Sequence, residues 1–85
     1  MPADDAIDFY GAQWCGDCRR AQALLDHYGV SYTYHDVDSS EELRTEAIEI
    51  SGRPNIPVLK FSDGSFLTEP SNPALDEKLT ELGMI

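Results

Sequence analysis

Two cysteines separated by two residues, Cys15-Gly16-Asp17-Cys18, stand where one hydrophobic period ends and another begins. Upstream, AIDFYG sets Ile7 and Phe9 against Ala6, Asp8 and Tyr10, the two-residue alternation of a short strand, and stops at Gly11. Downstream, over residues 15–28, Cys18, Ala21, Leu24, Leu25 and Tyr28 recur at three- and four-residue steps, and Gly29 follows in the C-cap position. The cysteine pair therefore marks a strand that turns directly into a helix. Any fold of this chain must be built around that junction.

The remaining elements follow from the same signals. SYTYHDV, rich in β-branched and aromatic residues, reads as a second strand reached through the turn at Gly29. Ser39 with Glu42 three residues on forms a capping box, and Leu43, Ala47 and Ile50 mark one face of a second helix up to Gly52. IPVLKF and SFLT flank Asp63-Gly64, a strong hairpin signal. Asn72 caps a last helix with Pro73 in its first position, Leu75, Leu79 and Leu82 on one face, and Gly83 at its end. The order is β-α-β-α-β-β-α. A right-handed crossover makes the first two strands parallel and the hairpin adds an antiparallel edge. The expected fold is thus α/β, a four-stranded mixed sheet flanked by three helices. A chain of 85 residues has room for one modest core, so residues 1–85 read as a single domain.

Charge and cysteine use narrow the function. A formal net charge of −10 argues against nucleic acid and anionic membranes as partners, because both require basic patches. Six acids fall within residues 36–49, as a solvated helix face would have them. The start MPADDA carries acids where a secretory signal carries bases and an apolar run, which predicts a cytoplasmic protein. In a reducing cytosol two cysteines serve transient redox chemistry or metal binding rather than a permanent staple.

The junction favours redox chemistry. Cys15, at the helix start, meets unpaired backbone N–H groups and the positive end of the helix dipole, both of which favour the thiolate that attacks disulfides. Cys18 lies one turn on, its Cα roughly 5 Å away and within disulfide range. Cys15 is accordingly the attacking thiol and Cys18 the less accessible thiol that resolves the mixed disulfide. Asp17 opposes a thiolate, whereas Arg19 and Arg20 support one from solvent. Trp14, the only tryptophan, either packs the loop as a partly buried indole or offers a surface that clients touch. A zinc site would need four ligands, with only His27 and His35 to add. His27 lies about 13 Å along the helix from Cys18, and both histidines read as surface residues. Pro57 opens the third strand, where a proline is tolerated only at a start or an edge.

Together, WCGDC after a short strand and IPVLKFSDGSFLTEPS resemble the glutaredoxins, and within them the mycoredoxin-like members of actinobacteria, over nearly the whole chain. The resemblance implies a thioredoxin-like fold and a disulfide reductase acting on protein disulfides or mixed disulfides. It implies that Pro57 follows a cis bond facing the cysteines, and that the backbone of Ile56 pairs with an extended substrate. It also implies that the start of the last helix, through Thr68, Ser71 and Asn72, holds the carboxylate of a low-molecular-weight thiol. The double glycine and acidic pair of glutathione-binding members are replaced here by Leu67-Thr68-Glu69-Pro70-Ser71-Asn72. Glutathione and mycothiol both stand open as co-substrate, and no bound cofactor is implied. The expected form is a monomer. Asp8 resembles the buried acid of thioredoxins but lies one residue too far from Cys15. Two other readings stand beside the first: a thioredoxin-like electron donor reduced directly by a flavoprotein reductase, and a metal or iron–sulfur module using Cys15 with an external thiol.

Overall fold

The computed structural model describes residues 7–85; Ala6, at the start of the first strand pattern, and the rest of the acidic start lie outside them. The elements follow the expected order: β1 (Ile7–Gly11), α1 (Gly16–Tyr28), β2 (Thr33–Asp36), α2 (Glu41–Ser51), β3 (Val58–Phe61), β4 (Phe66–Thr68) and α3 (Asn72–Glu81). The sheet runs β2-β1-β3-β4, with β1 parallel to β2 and antiparallel to β3, and β3 antiparallel to β4. Gly29 and Gly52 end α1 and α2 in the left-handed conformation that glycine adopts without a Cβ penalty.

Adjacent residues of β1 show how the layers are arranged. Phe9 is fully buried and lies against Tyr32, Tyr34 and the space beside Cys18, so it faces α1. Tyr10 points to the other face, as neighbours on a strand must, and its hydroxyl donates to Glu46 of α2 at 2.7 Å. Helices α1 and α3 meet each other, while α2 packs against β1, β3 and β4. The core holds Ile7, Phe9, Leu25, Val58, Leu59, Leu75 and Leu79, all with no exposed surface.

Five expectations are corrected. Tyr10 is buried, at 4% exposure, rather than on a polar face, because α2 covers that half of the strand. The second strand is four residues long rather than seven, and Pro57 precedes β3 rather than opening it. Ser40, not Ser39, caps α2 and accepts from the Leu43 amide at 3.4 Å. The hydroxyl of Ser39 instead donates to the Asp36 carbonyl at 2.8 Å, in the turn that leaves β2. Ser71, not Asn72, caps α3 and accepts from the Ala74 amide at 3.2 Å; Asn72 is the first helical residue.

Candidate active site

The site forms where β1 ends. The Cys15 amide donates to the Ala12 carbonyl at 3.2 Å, which turns the chain out of the strand, and Cys15 then takes the N-cap position of α1 with extended backbone angles. Its sulfur accepts the Cys18 amide at 3.3 Å. That amide is one of the helix-start donors with no partner inside the helix, so negative charge on Cys15 Sγ is met by an N–H and by the dipole behind it. Both cysteines are free thiols, Cys15 at 8% exposure and Cys18 at 0%. Burial, then the hydrogen bond with Cys15, pushes the Cys18 thiol up to about 12.

Gly11 explains how Cys18 can sit so deep. A Cβ there would lie 2.8 Å from Phe9 Cε1 and 2.9 Å from Cys18 Sγ, so the thiol occupies the space a side chain would fill. Within the motif Asp17 is paired with Arg20 at 2.8 Å, and the same guanidinium donates to the Pro70 carbonyl at 3.1 Å. Arg20 therefore ties α1 to the loop before α3, beyond the purely solvent-facing part expected of it.

Opposite the cysteines the Ile56-Pro57 bond is cis, and the Ile56 carbonyl lies 4.0 Å from Cys15 Sγ. Pro57 is buried and Ile56 half-buried. The Pro57 carbonyl accepts the Glu69 amide at 2.9 Å, which carries the strand edge into the 69–71 loop. Thr68 pairs with Val58, and its hydroxyl is buried with no hydrogen-bond partner among the described residues. The Ser71 hydroxyl is occupied as a cap, and Asn72 is exposed. Trp14 is 69% exposed, which rules out its packing the loop as a partly buried indole. Its Nε1 donates to Asp38, whose carboxylate also accepts from Arg44 at 3.0 Å. Trp14, Ile56, Arg44, Ile48 and Arg53 line a cavity of about 130 Å³.

The structure thus gathers Trp14, Cys15, Cys18, Ile56 and Pro57 at one end of the sheet and joins Thr68, Ser71 and Asn72 to them through Glu69. His27 and His35 stand elsewhere: His27 packs on Tyr28, and His35 bonds Asp8 at 3.0 Å and stacks on Tyr10. His35 is therefore partly enclosed rather than a free surface residue. Among the described residues no three His, Cys, Asp or Glu side chains are grouped to hold a metal ion, and no helix is long and apolar enough to cross a membrane. Sequence reasoning missed Gly11, Asp38 and Glu69. Only Gly11 carried a signal, since a glycine in a strand often marks a close approach.

Comparison with known proteins gives the same picture. The family model described as Glutaredoxin matches residues 7–67. A Mycobacterium tuberculosis protein assigned to the glutaredoxins is 30% identical over 78 residues, covering 91% of this chain and 93% of its own. Among solved structures, a glutaredoxin from Archaeoglobus fulgidus superposes with a TM-score of 0.76 at 24% identity, over 86% of this chain and 84% of that one. A buckwheat glutaredoxin–glutathione complex superposes with a TM-score of 0.68 at 19% identity, over 91% and 70%. The shared architecture is the thioredoxin-like one.

Proposed function

Because this chain belongs to the glutaredoxin family, whose members are thiol-disulfide oxidoreductases, we propose that it is a dithiol reductase of the mycoredoxin type, working through Cys15 and Cys18 in the cytoplasm as a monomer. One observation carries the reading: the sulfur of Cys15 accepts a helix-start amide while Cys18 is wholly enclosed one turn behind it. The two thiols are thereby given different work.

The Cys15 thiolate attacks one sulfur of a substrate disulfide. The substrate S–S bond breaks, its outer half leaves as a thiolate that takes a proton from water, and a Cys15–substrate disulfide remains. Cys18, held protonated at neutral pH by its burial, does not compete for that first attack. It then gives up its proton and attacks Cys15 Sγ. The mixed disulfide breaks, the second half leaves as a thiolate, and the protein is left as a Cys15–Cys18 disulfide, two electrons poorer. Two equivalents of a low-molecular-weight thiol, glutathione or mycothiol, restore the dithiol. The glutathione bound to the buckwheat relative supports that class of donor. Ile56, with its backbone beside the nucleophile, and Pro57 present the edge along which an extended substrate lies, with Trp14 at one end and Thr68, Ser71 and Asn72 at the other.

Replacing the cysteines singly tests the roles. Cys15→Ser should abolish disulfide reduction, and Cys18→Ser should accumulate a mixed disulfide on Cys15 visible by mass spectrometry. Activity retained in Cys15→Ser, or an adduct found on Cys18, would reverse the assignment. Offering the oxidised protein glutathione, mycothiol and a flavoprotein thioredoxin reductase in turn identifies its donor.

A further inference from the structure

Glu69 is the only non-glycine residue among those described with a positive φ, at 49°. Left-handed backbone is uncommon for such a side chain, and residues held in it cluster at binding and switch sites. Here two bonds hold it. The Glu69 amide donates to the Pro57 carbonyl at 2.9 Å, and Glu69 Oε1 accepts from Asn55 Nδ2 at 3.0 Å. The carboxylate is thus fixed across the Asn55-Ile56-Pro57 edge, one residue from the carbonyl that faces Cys15 Sγ. Among the described residues it forms no ion pair. Arg20, which reaches the same loop, is engaged by Asp17 and the Pro70 carbonyl. On the other side of Ile56 stand Arg44 and Arg53. Arg44 is paired there with Asp38 at 3.0 Å, whereas on the α3 side of the groove the Glu69 carboxylate is bonded only to the neutral Asn55 amide.

We infer that Glu69 is a specificity-determining residue that disfavours a substrate arm carrying a carboxylate on the α3 side of the groove and favours one that is uncharged or cationic there. The inference rests on the reductase reading above. Its chemistry is simple: a like charge held at an exposed groove rim opposes docking, and bulk salt weakens the effect. It also bears on the thiol co-substrate, because a hydroxyl-rich arm meets Glu69 as a hydrogen-bond acceptor whereas a carboxylate meets it as a like charge.

The test compares kcat/KM for two small disulfides, those of mercaptoethanol and of thioglycolate, at low ionic strength. In the unaltered protein the anionic disulfide should be the poorer substrate. Glu69→Gln, which keeps an acceptor for Asn55, should raise the anionic-to-neutral ratio about three- to tenfold, and added salt should shrink that gain. Glu77→Gln removes the same charge from an exposed position on α3 and serves as the comparison. A ratio that moves equally in both variants, or in neither, overturns the inference. Failure to reduce either disulfide would instead overturn the reductase reading, so the two failures are distinguishable.

Discussion

A methyl group at position 11 has no room: it would press on Phe9 Cε1 at 2.8 Å and on Cys18 Sγ at 2.9 Å. Both neighbours are fully buried, so neither can swing into solvent to relieve the overlap. The Gly11 carbonyl also accepts the Val37 amide at 3.0 Å, which anchors the strand end and limits backbone retreat. Gly11→Ala should therefore cost about 1–3 kcal/mol, the usual range for overpacking a filled core. Because one of the displaced atoms is the sulfur proposed to resolve the mixed disulfide, the variant should also hold that disulfide longer than the unaltered protein. Urea unfolding of the reduced form and a quenched-flow count of trapped adduct measure the two effects. A variant of unchanged midpoint and unchanged resolution would show that Cys18 does not depend on that space. Glycine here was legible only as a strand end. Which atom it makes way for depends on how α1 docks, and a linear pattern does not contain that.

The starts of α2 and α3 each lie one residue from where the sequence pattern puts them, for the same physical reason: two capping residues stand side by side and the winner is chosen by what else needs them. Ser39 fits the capping box with Glu42, but the turn leaving β2 takes it, its amide and hydroxyl both donating to the Asp36 carbonyl. Ser40 then caps, with Glu41 and Glu42 in the first turn, where acidic charge complements the dipole. At α3, an Asn72 cap would be directed at the Leu75 amide, yet that amide already opens the helical ladder on the Ser71 carbonyl at 3.0 Å. Element type and order were readable because periodicity is local. The cap frame was not, because it is decided by turns on the outer side of each helix. Ser40→Ala should lower stability by about 1 kcal/mol, and Ser39→Ala by less. Thermal or urea midpoints of the two variants decide; the reverse order would place the start of α2 at Ser39.

Across the whole molecule, the element order, the mixed direction of the sheet and the apolar helix faces were legible because they follow from periodicity and from strand and crossover rules. Contacts that join distant loops, such as Trp14 with Asp38 and Glu69 with Pro57, were not legible. They follow from the closed fold and set the local environments of its ionisable groups. Those environments make one global prediction. Burial and the bond with Cys15 raise the Cys18 thiol to about 12, from an ordinary 9.0. Burial and the bond to Glu46 raise Tyr10 from 10.0, and burial, with Asp36 next, raises Tyr34 from the same value. Below pH 9 the native and unfolded chains both hold these protons, and the stability they confer is fully present. Above pH 9 the unfolded chain releases its Cys18 proton, and above 10 its tyrosine protons, while the native chain keeps them. Unfolding is then favoured by about 1.4 kcal/mol per pH unit for each fully differing group. The loss attributable to Cys18 ends near pH 12, where the native thiol also ionises. The unfolding free energy of the reduced protein should therefore be level from pH 7 to 8.5 and fall steadily beyond 9. Cys18→Ala should flatten the first part of that fall, between 9 and 10, and Tyr10→Phe the later part. Equal slopes in all three proteins, measured by urea titration under reductant, would show that these protons are not retained by the fold.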